Sequence, residues 1–233
     1  MFAQIDKAEK RSPLLKLNEL AKDQLAISPY LLIVKDSVSF HQLLEKNNIP
    51  IRNLHFYKSG NIASIDLSWA EINTYLLESD IVLFIDQKRK PVEEMQVKGF
   101  DLSANKASIV HQLYPQWNGD GLTVSVKEHT PDTADIDFKG RYFNTPLQSS
   151  STTTHASLMA TMIAGAGNTF YNSKGVAWQA KITSSDFSSL LPDPDAYYQQ
   201  HNISVQNHSY GTGVENFYGA DAMAYDISTI NNP

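Results

Sequence analysis

His155 stands at the head of an apolar, small-residue run, residues 154–165, in which Ala160, Ala164 and Gly165 would allow close packing. Glu128 closes an alternating segment, residues 122–128, that lies shortly before it. The pairing of residue types matters chemically. An imidazole titrates near neutrality, so it can take a proton from a nucleophilic hydroxyl. It also needs an acceptor that holds its tautomer and stabilises the imidazolium. The alternation of residues 122–126 reads as a strand that delivers the carboxylate, and the run after His155 reads as a helix that fixes the ring on a rigid element. A helix N-terminus by itself lowers the proton affinity of an imidazole, and a nearby carboxylate offsets that. Each residue also has a plainer reading: His155 as a polar helix start, Glu128 as a surface acid at a strand end.

Four stretches over roughly residues 117–220 carry a resemblance. Val124-Ser125-Val126-Lys127-Glu128, with Asp132, Asp137 and Lys139 following, is similar to the strand and loop around the triad aspartate of subtilisin-like serine proteases, and Glu128 stands at the aspartate. His155 with Ala156, Ser157, Met159, Ala160, Ile163 and Ala164 resembles that family's His-Gly-Thr-His-Val-Ala helix. Gly175-Val176-Ala177 resembles the turn after the helix. Gln206-Asn207-His208-Ser209-Tyr210-Gly211 resembles the strand whose backbone pairs with substrate. The resemblance implies peptide-bond hydrolysis with His155 as base, Glu128 as its orienting acid, and Ser209, Tyr210 and Gly211 as the substrate-binding strand. One departure stands out. The extra methylene of Glu128 moves the carboxylate by ~1.5 Å relative to an aspartate, and a misplacement of ~1 Å can cost ~10²-fold in rate.

The family's oxyanion-hole asparagine and its Gly-Thr-Ser-Met-Ala nucleophile motif have no counterpart among these residues, and no GxSxG occurs. Ser157 and Ser209 occupy positions with other roles in the family, and Ser149, Ser150 and Ser151 fall in a loop, so none is assigned as nucleophile. His129 would point away from Glu128's side of an extended strand, toward solvent. His41, His55, His111, His201 and His208 show no metal-ligand spacing. No metal ligands are assigned and no cofactor is expected. Calcium alone is left open, because family members often bind it with the residue matching Asp137; the Asp132, Asp135, Asp137 group lacks an EF-hand pattern.

The elements that must position these residues follow from the pattern. Ser12 and Pro13 open a helix over residues 12–26, with Leu14, Leu17, Leu20, Ala21 and Leu25 at helical spacing, and Ser28-Pro29 ends it. Residues 30–86 read as βαββαβ. A buried strand covers 30–34, and Phe40, Leu43 and Leu44 lie on a short helix capped by Ser39. A hairpin turns at Ser59-Gly60-Asn61, a capping box Ser68–Glu71 starts a second helix, and a strand covers 81–85. Split βαβ units of this kind are ferredoxin-like. Residues 87–99 read as a polar linker. A helix over 105–114 carries Ile109, Val110 and Leu113 on one face, and strands near 122–126, 181–183 and 203–207 alternate with helices, which argues for a parallel sheet.

Composition excludes several classes. With 42% hydrophobic and 19% charged residues, the chain is an ordinary folded protein. Its net charge of −6, with basic residues scattered, argues against a nucleic-acid partner. No apolar run approaches the ~20 residues that span a membrane. The absence of cysteine removes disulfides and thiol catalysis. Phe2-Ala3 before Gln4 resembles the end of a secretory signal, which points to a secreted, periplasmic or cell-surface protein.

The expected organisation is therefore an N-terminal helical segment (1–27), a propeptide-like α+β ferredoxin-like domain (28–95) and the N-terminal half of a subtilisin-like α/β domain (96–233). A parallel sheet flanked by helices should form its core. The expected partners are a peptide or protein substrate and the remaining C-terminal part of the protease domain. A different class of function is a non-catalytic peptide-binding or docking module of an exported or outer-membrane complex.

Overall fold

The structure, a computed structural model, describes residues 9–18, 23–94, 102–213 and 216–233. The chain divides into two compact units, one of residues 1–90, 190–195 and 213–233, the other of residues 91–189 and 196–212.

In the first unit, α1 (Pro13–Asn18) precedes β1 (Ile27–Val34), α2 (Ser37–Lys46), β2 (His55–Tyr57), β3 (Ile62–Ser68), α3 (Trp69–Glu71) and β4 (Val82–Gln87). The strands form one four-stranded antiparallel sheet in the order β2-β3-β1-β4. The apolar run of β1 is explained by cover on both of its faces. Tyr30, Leu32 and Val34 pack with Phe40, Leu44, Ile65, Ile72 and Leu76. On the other face, Leu31 and Ile33 meet Ala220, Ala224 and Ile227 of a helix from the C-terminal end of the chain (Ala220–Asn231). Small residues four apart on that helix let it lie close to the sheet. Asp195 fastens its end, accepting hydrogen bonds from Ser59 Oγ (2.6 Å), Asn231 Nδ2 (3.1 Å) and Asn232 Nδ2 (3.0 Å).

Three local expectations are corrected. The first helix ends at Asn18; residues 19–22 lie outside the described residues, and residues 23–26 are not helical. There Asp23 turns the chain by accepting from the Leu25 amide at 3.0 Å, and Leu25 is 77% exposed, so its helical spacing buries nothing. Ser28-Pro29 then lies inside β1 rather than in a helix stop. The cap of α2 is Asp36, whose carboxylate accepts from the Ser39 amide at 2.7 Å. An ionised acceptor at a helix N-terminus also gains from the helix dipole. The capping box at Ser68 and Glu71 is present, and α3 runs into a π-helical stretch, Ile72–Leu76.

In the second unit, β5 (Val92–Glu93), α4 (Ala107–Leu113), β6 (Thr123–Lys127), α5 (Thr154–Ala164), β7 (Lys181–Ser185), α6 (Asp195–Gln200, from Ala196 onward), β8 (Val205–His208) and β9 (Tyr210–Gly211) follow; the C-terminal helix of the first unit is α7. A parallel sheet in the order β7-β6-β8 forms its centre. On one face Val124, Val126 and Ile182 pack against Phe138, Ala160 and Ala164. The other carries a polar network in which Ser125 Oγ meets Tyr197 Oη at 3.1 Å and accepts from Gln206 Nε2 at 3.2 Å. The apolar residues of α4 find no such cover: Ile109, Val110, Leu113 and the following Trp117 are exposed.

Candidate active site

The site lies beyond the carboxyl ends of the parallel strands, the usual place for chemistry in open α/β sheets. Glu128 follows β6 directly, and its amide donates to the Ser185 carbonyl at the end of β7 at 2.8 Å, so the sheet ladder sets its position. His155 lies in the first turn of α5. Thr153 caps that helix by accepting from the Ala156 amide at 3.1 Å. The loop entering the cap is pinned to the strand β6 feeds, because the Thr130 amide donates to Ser151 and the Thr153 amide to Thr130.

At its far end α5 is held by close backbone contact. A Cβ on Gly175 would come within 2.6 Å of the Ala164 amide nitrogen, and one on Gly165 within 2.1 Å of the Ser173 carbonyl oxygen. Only glycine lets these segments meet. The turn then supplies donors to carbonyls that a helix end leaves unpaired: Val176 to Met162 at 3.1 Å and Ala177 to Ile163 at 2.7 Å. Arg141 adds a strap, with Nη2 donating to the Ala164 carbonyl at 2.7 Å and Nη1 to Ala180 at 2.7 Å.

The two chemical groups meet. His155 Nδ1 is 3.2 Å from Glu128 Oε2, with the side chains 1% and 0% exposed. Neither ring nitrogen, nor Oε2, makes a hydrogen bond of good geometry. The pair is thus at contact distance but not aligned. Burial pushes the Glu128 carboxyl above its ordinary value, and the His129 amide and His155 oppose the shift while Glu93 adds to it. Since Nδ1 faces the carboxylate, Nε2 is the nitrogen left for proton exchange with a third group.

Ser209, Tyr210 and Gly211 are occupied by the chain itself. Val92 pairs antiparallel with Gly211 and Glu93 with Tyr210, and the Glu94 amide donates to the Ser209 carbonyl at 3.2 Å. Part of the segment read as a linker is therefore a strand; residues 95–99 lie outside the described residues. Glu93, which the sequence did not single out, reaches the pair. Its Oε1 accepts from Thr153 Oγ1 at 2.9 Å, and its carboxylate lies close to Glu128 and His155.

His129 is not solvent-facing. It is half-buried, with Nδ1 3.2 Å from Ser149 Oγ and its ring edge-on to Phe187 at 4.9 Å. The acids after Glu128 do not gather into a metal-ligating group among the described residues. Asp137 instead binds the loop after α5, accepting from the Asn168 and Thr169 amides. Burial works against its charge, but these amides and Ser173 outweigh it and hold the carboxyl below its ordinary value. No helix among the described residues is long and apolar enough to cross a membrane.

The sequence profile of the Subtilase family matches residues 39–232. The chain belongs to the subtilase family. No curated protein matches its sequence. Among solved structures it is similar to fervidolysin from Fervidobacterium pennivorans, a keratinolytic enzyme related to subtilisin: 17% identity, TM-score 0.58, covering 89% of this chain and 39% of that one. It is also similar to the epidermin leader peptide processing serine protease of Staphylococcus aureus. There the identity is 12% and the TM-score 0.64, over 88% of this chain and 59% of that one. This subtilase chain thus spans 39–59% of the lengths of those structures, and the likeness concerns the fold.

Proposed function

We propose that the chain is the N-terminal portion of an exported subtilase zymogen that hydrolyses peptide bonds. The observation that carries this reading is the buried His155–Glu128 pair, with Nδ1 3.2 Å from Oε2 at the carboxyl end of the parallel sheet. In the complete enzyme a serine hydroxyl, from sequence beyond these residues, attacks the scissile carbonyl as His155 Nε2 takes its proton. The same nitrogen later returns the proton to the leaving amine, while Glu128 stabilises the imidazolium. Ser209, Tyr210 and Gly211 hold extended substrate by backbone pairing. Residues 28–95 act as a propeptide, and their C-terminal end, Val92 and Glu93, occupies that strand before activation.

The reading is tested with the complete protein and a chromogenic peptide. It requires turnover that is blocked by a serine-directed phosphonate and lost in His155→Ala at unchanged melting temperature. Turnover that survives His155→Ala would overturn it.

A second reading is favoured by one observation, that β9 holds an extended strand. A non-catalytic module could use the same edge to bind peptides by strand addition. Peptide binding without hydrolysis or phosphonate labelling in the complete protein would select it.

A further inference from the structure

Peptide hydrolysis has no need of a second acid at the histidine, yet Glu93 supplies one. One ligand atom from each of Glu93, Glu128 and His155 lies within 4.8 Å of the other two. Glu128 and His155 are buried, and Oε2 of the first and both ring nitrogens of the second lack hydrogen-bond partners. Buried polar atoms left in that condition are unfavourable, because they have lost water without gaining a partner. Two carboxyl groups and one imidazole thus converge on a single, largely buried space.

A divalent cation answers this arrangement, because it takes up the unpartnered lone pairs of all three groups. At metal–ligand distances of ~2.0–2.2 Å, two ligands of a tetrahedral zinc ion stand ~3.3–3.6 Å apart. Nδ1 and Oε2 stand 3.2 Å apart without hydrogen-bond alignment. One imidazole with two carboxylates suits zinc better than calcium or magnesium, which favour oxygen-only sets.

We propose that Glu93, Glu128 and His155 form a zinc-type divalent metal site. The ion ties β5 to the residues beside α5 and β6, with the fourth position left for water. It occupies the Nδ1 lone pair and the carboxylate charge on which imidazolium formation depends. Only this last consequence, that the bound ion keeps the enzyme silent, rests on the peptidase reading; the binding itself does not.

The test is equilibrium dialysis of the purified, chelator-stripped protein against zinc chloride, with cobalt(II) substitution as an optical readout. One zinc per chain is expected, with affinity at least tenfold weaker in Glu93→Gln and in His155→Ala. Glu93→Gln keeps an acceptor for Thr153, so its fold should persist, as circular dichroism will report. Glu93→His, which restores a ligand, should bind zinc more tightly than Glu93→Gln. Cobalt should give visible absorption that is lost in Glu93→Gln. The proposal is overturned if no stoichiometric zinc binds. Equal zinc affinity in wild type and Glu93→Gln also overturns it, since the ion would then sit on other histidines. None of these readouts needs catalysis, so failure of the metal site and failure of the peptidase reading are separable.

Discussion

Replacing Glu128 by Gln removes one charge from a buried pair and leaves the shape almost unchanged. The carboxylate oxygen is 3.2 Å from Nδ1, and both side chains are sealed from solvent. At an effective dielectric constant of about 20, unit charges at that distance attract by about 5 kcal/mol. That attraction exists only while the imidazole is protonated, so it lowers the barrier to proton transfer without stabilising the resting state equally. Divided by 1.36 kcal/mol per decade, it corresponds to a loss of on the order of 10³–10⁴ in kcat, in line with the loss of a triad acid elsewhere. The assay is steady-state hydrolysis of a chromogenic peptide by the complete enzyme, with residues 1–98 removed, over a range of pH. KM should change little, because Glu128 does not touch substrate. Glu128→Asp keeps the charge and loses reach, so its kcat should fall between wild type and Glu128→Gln. A loss below tenfold in Glu128→Gln would show that another group orients His155. Equal defects in Asp and Gln variants would show that reach, not charge, governs the pair.

Other outcomes follow from the same contacts. Deleting residues 1–98 from a refolded complete enzyme should raise initial peptide turnover at least tenfold by freeing β9; an equal rate with those residues attached and uncut would refute the inhibitory role. Gly175→Ala drives a methyl group into the α5 backbone and should cost roughly 2–4 kcal/mol, read as a fall in denaturant midpoint; an unchanged midpoint would mean that the turn relaxes freely. The Asp195 carboxyl is subject to burial, but hydrogen bonds from Ser59, Asn232, Asn231 and Tyr57 prevail and lower its pKa. Its stabilisation is therefore complete above the ordinary aspartate value of 3.8 and is lost as pH falls through the lowered one. Asp195→Ala should accordingly destabilise the chain by about 1–2 kcal/mol at pH 7 and by less near pH 3. A difference between variant and wild type that does not shrink with acid would assign the effect to packing.

Much of the local structure was legible in the sequence because it is written in short-range chemistry. Alternation marked β6, the capping box marked the start of α3, and His155 at the head of a small-residue run marked α5. The succession of elements from residue 30 to 86 was likewise readable, since strand and helix periods differ and turns separate them. Cap choice was less so: Asp36 and Ser39 are both good cap residues, and only the backbone path at Asp36 decides between them.

What the tertiary structure decided is which distant segments share a space. Nothing local in residues 220–231 says that Ala220 and Ala224 cover the second face of β1, because an amphipathic helix does not name its partner. The exposure of Ile109 on α4 shows the converse, that helical spacing of apolar residues creates a face without burying it, and Leu25 shows that such spacing need not form a helix at all. Glu93 is the sharpest case. Its type and neighbours suit a solvated linker, and only the pairing of Val92 with Gly211, 119 positions later in the chain, carries its carboxylate to Glu128 and His155. Backbone hydrogen bonds join segments almost without regard to side-chain identity, so sequence pattern determines which residues can form a strand, while the folded chain determines which strand they meet.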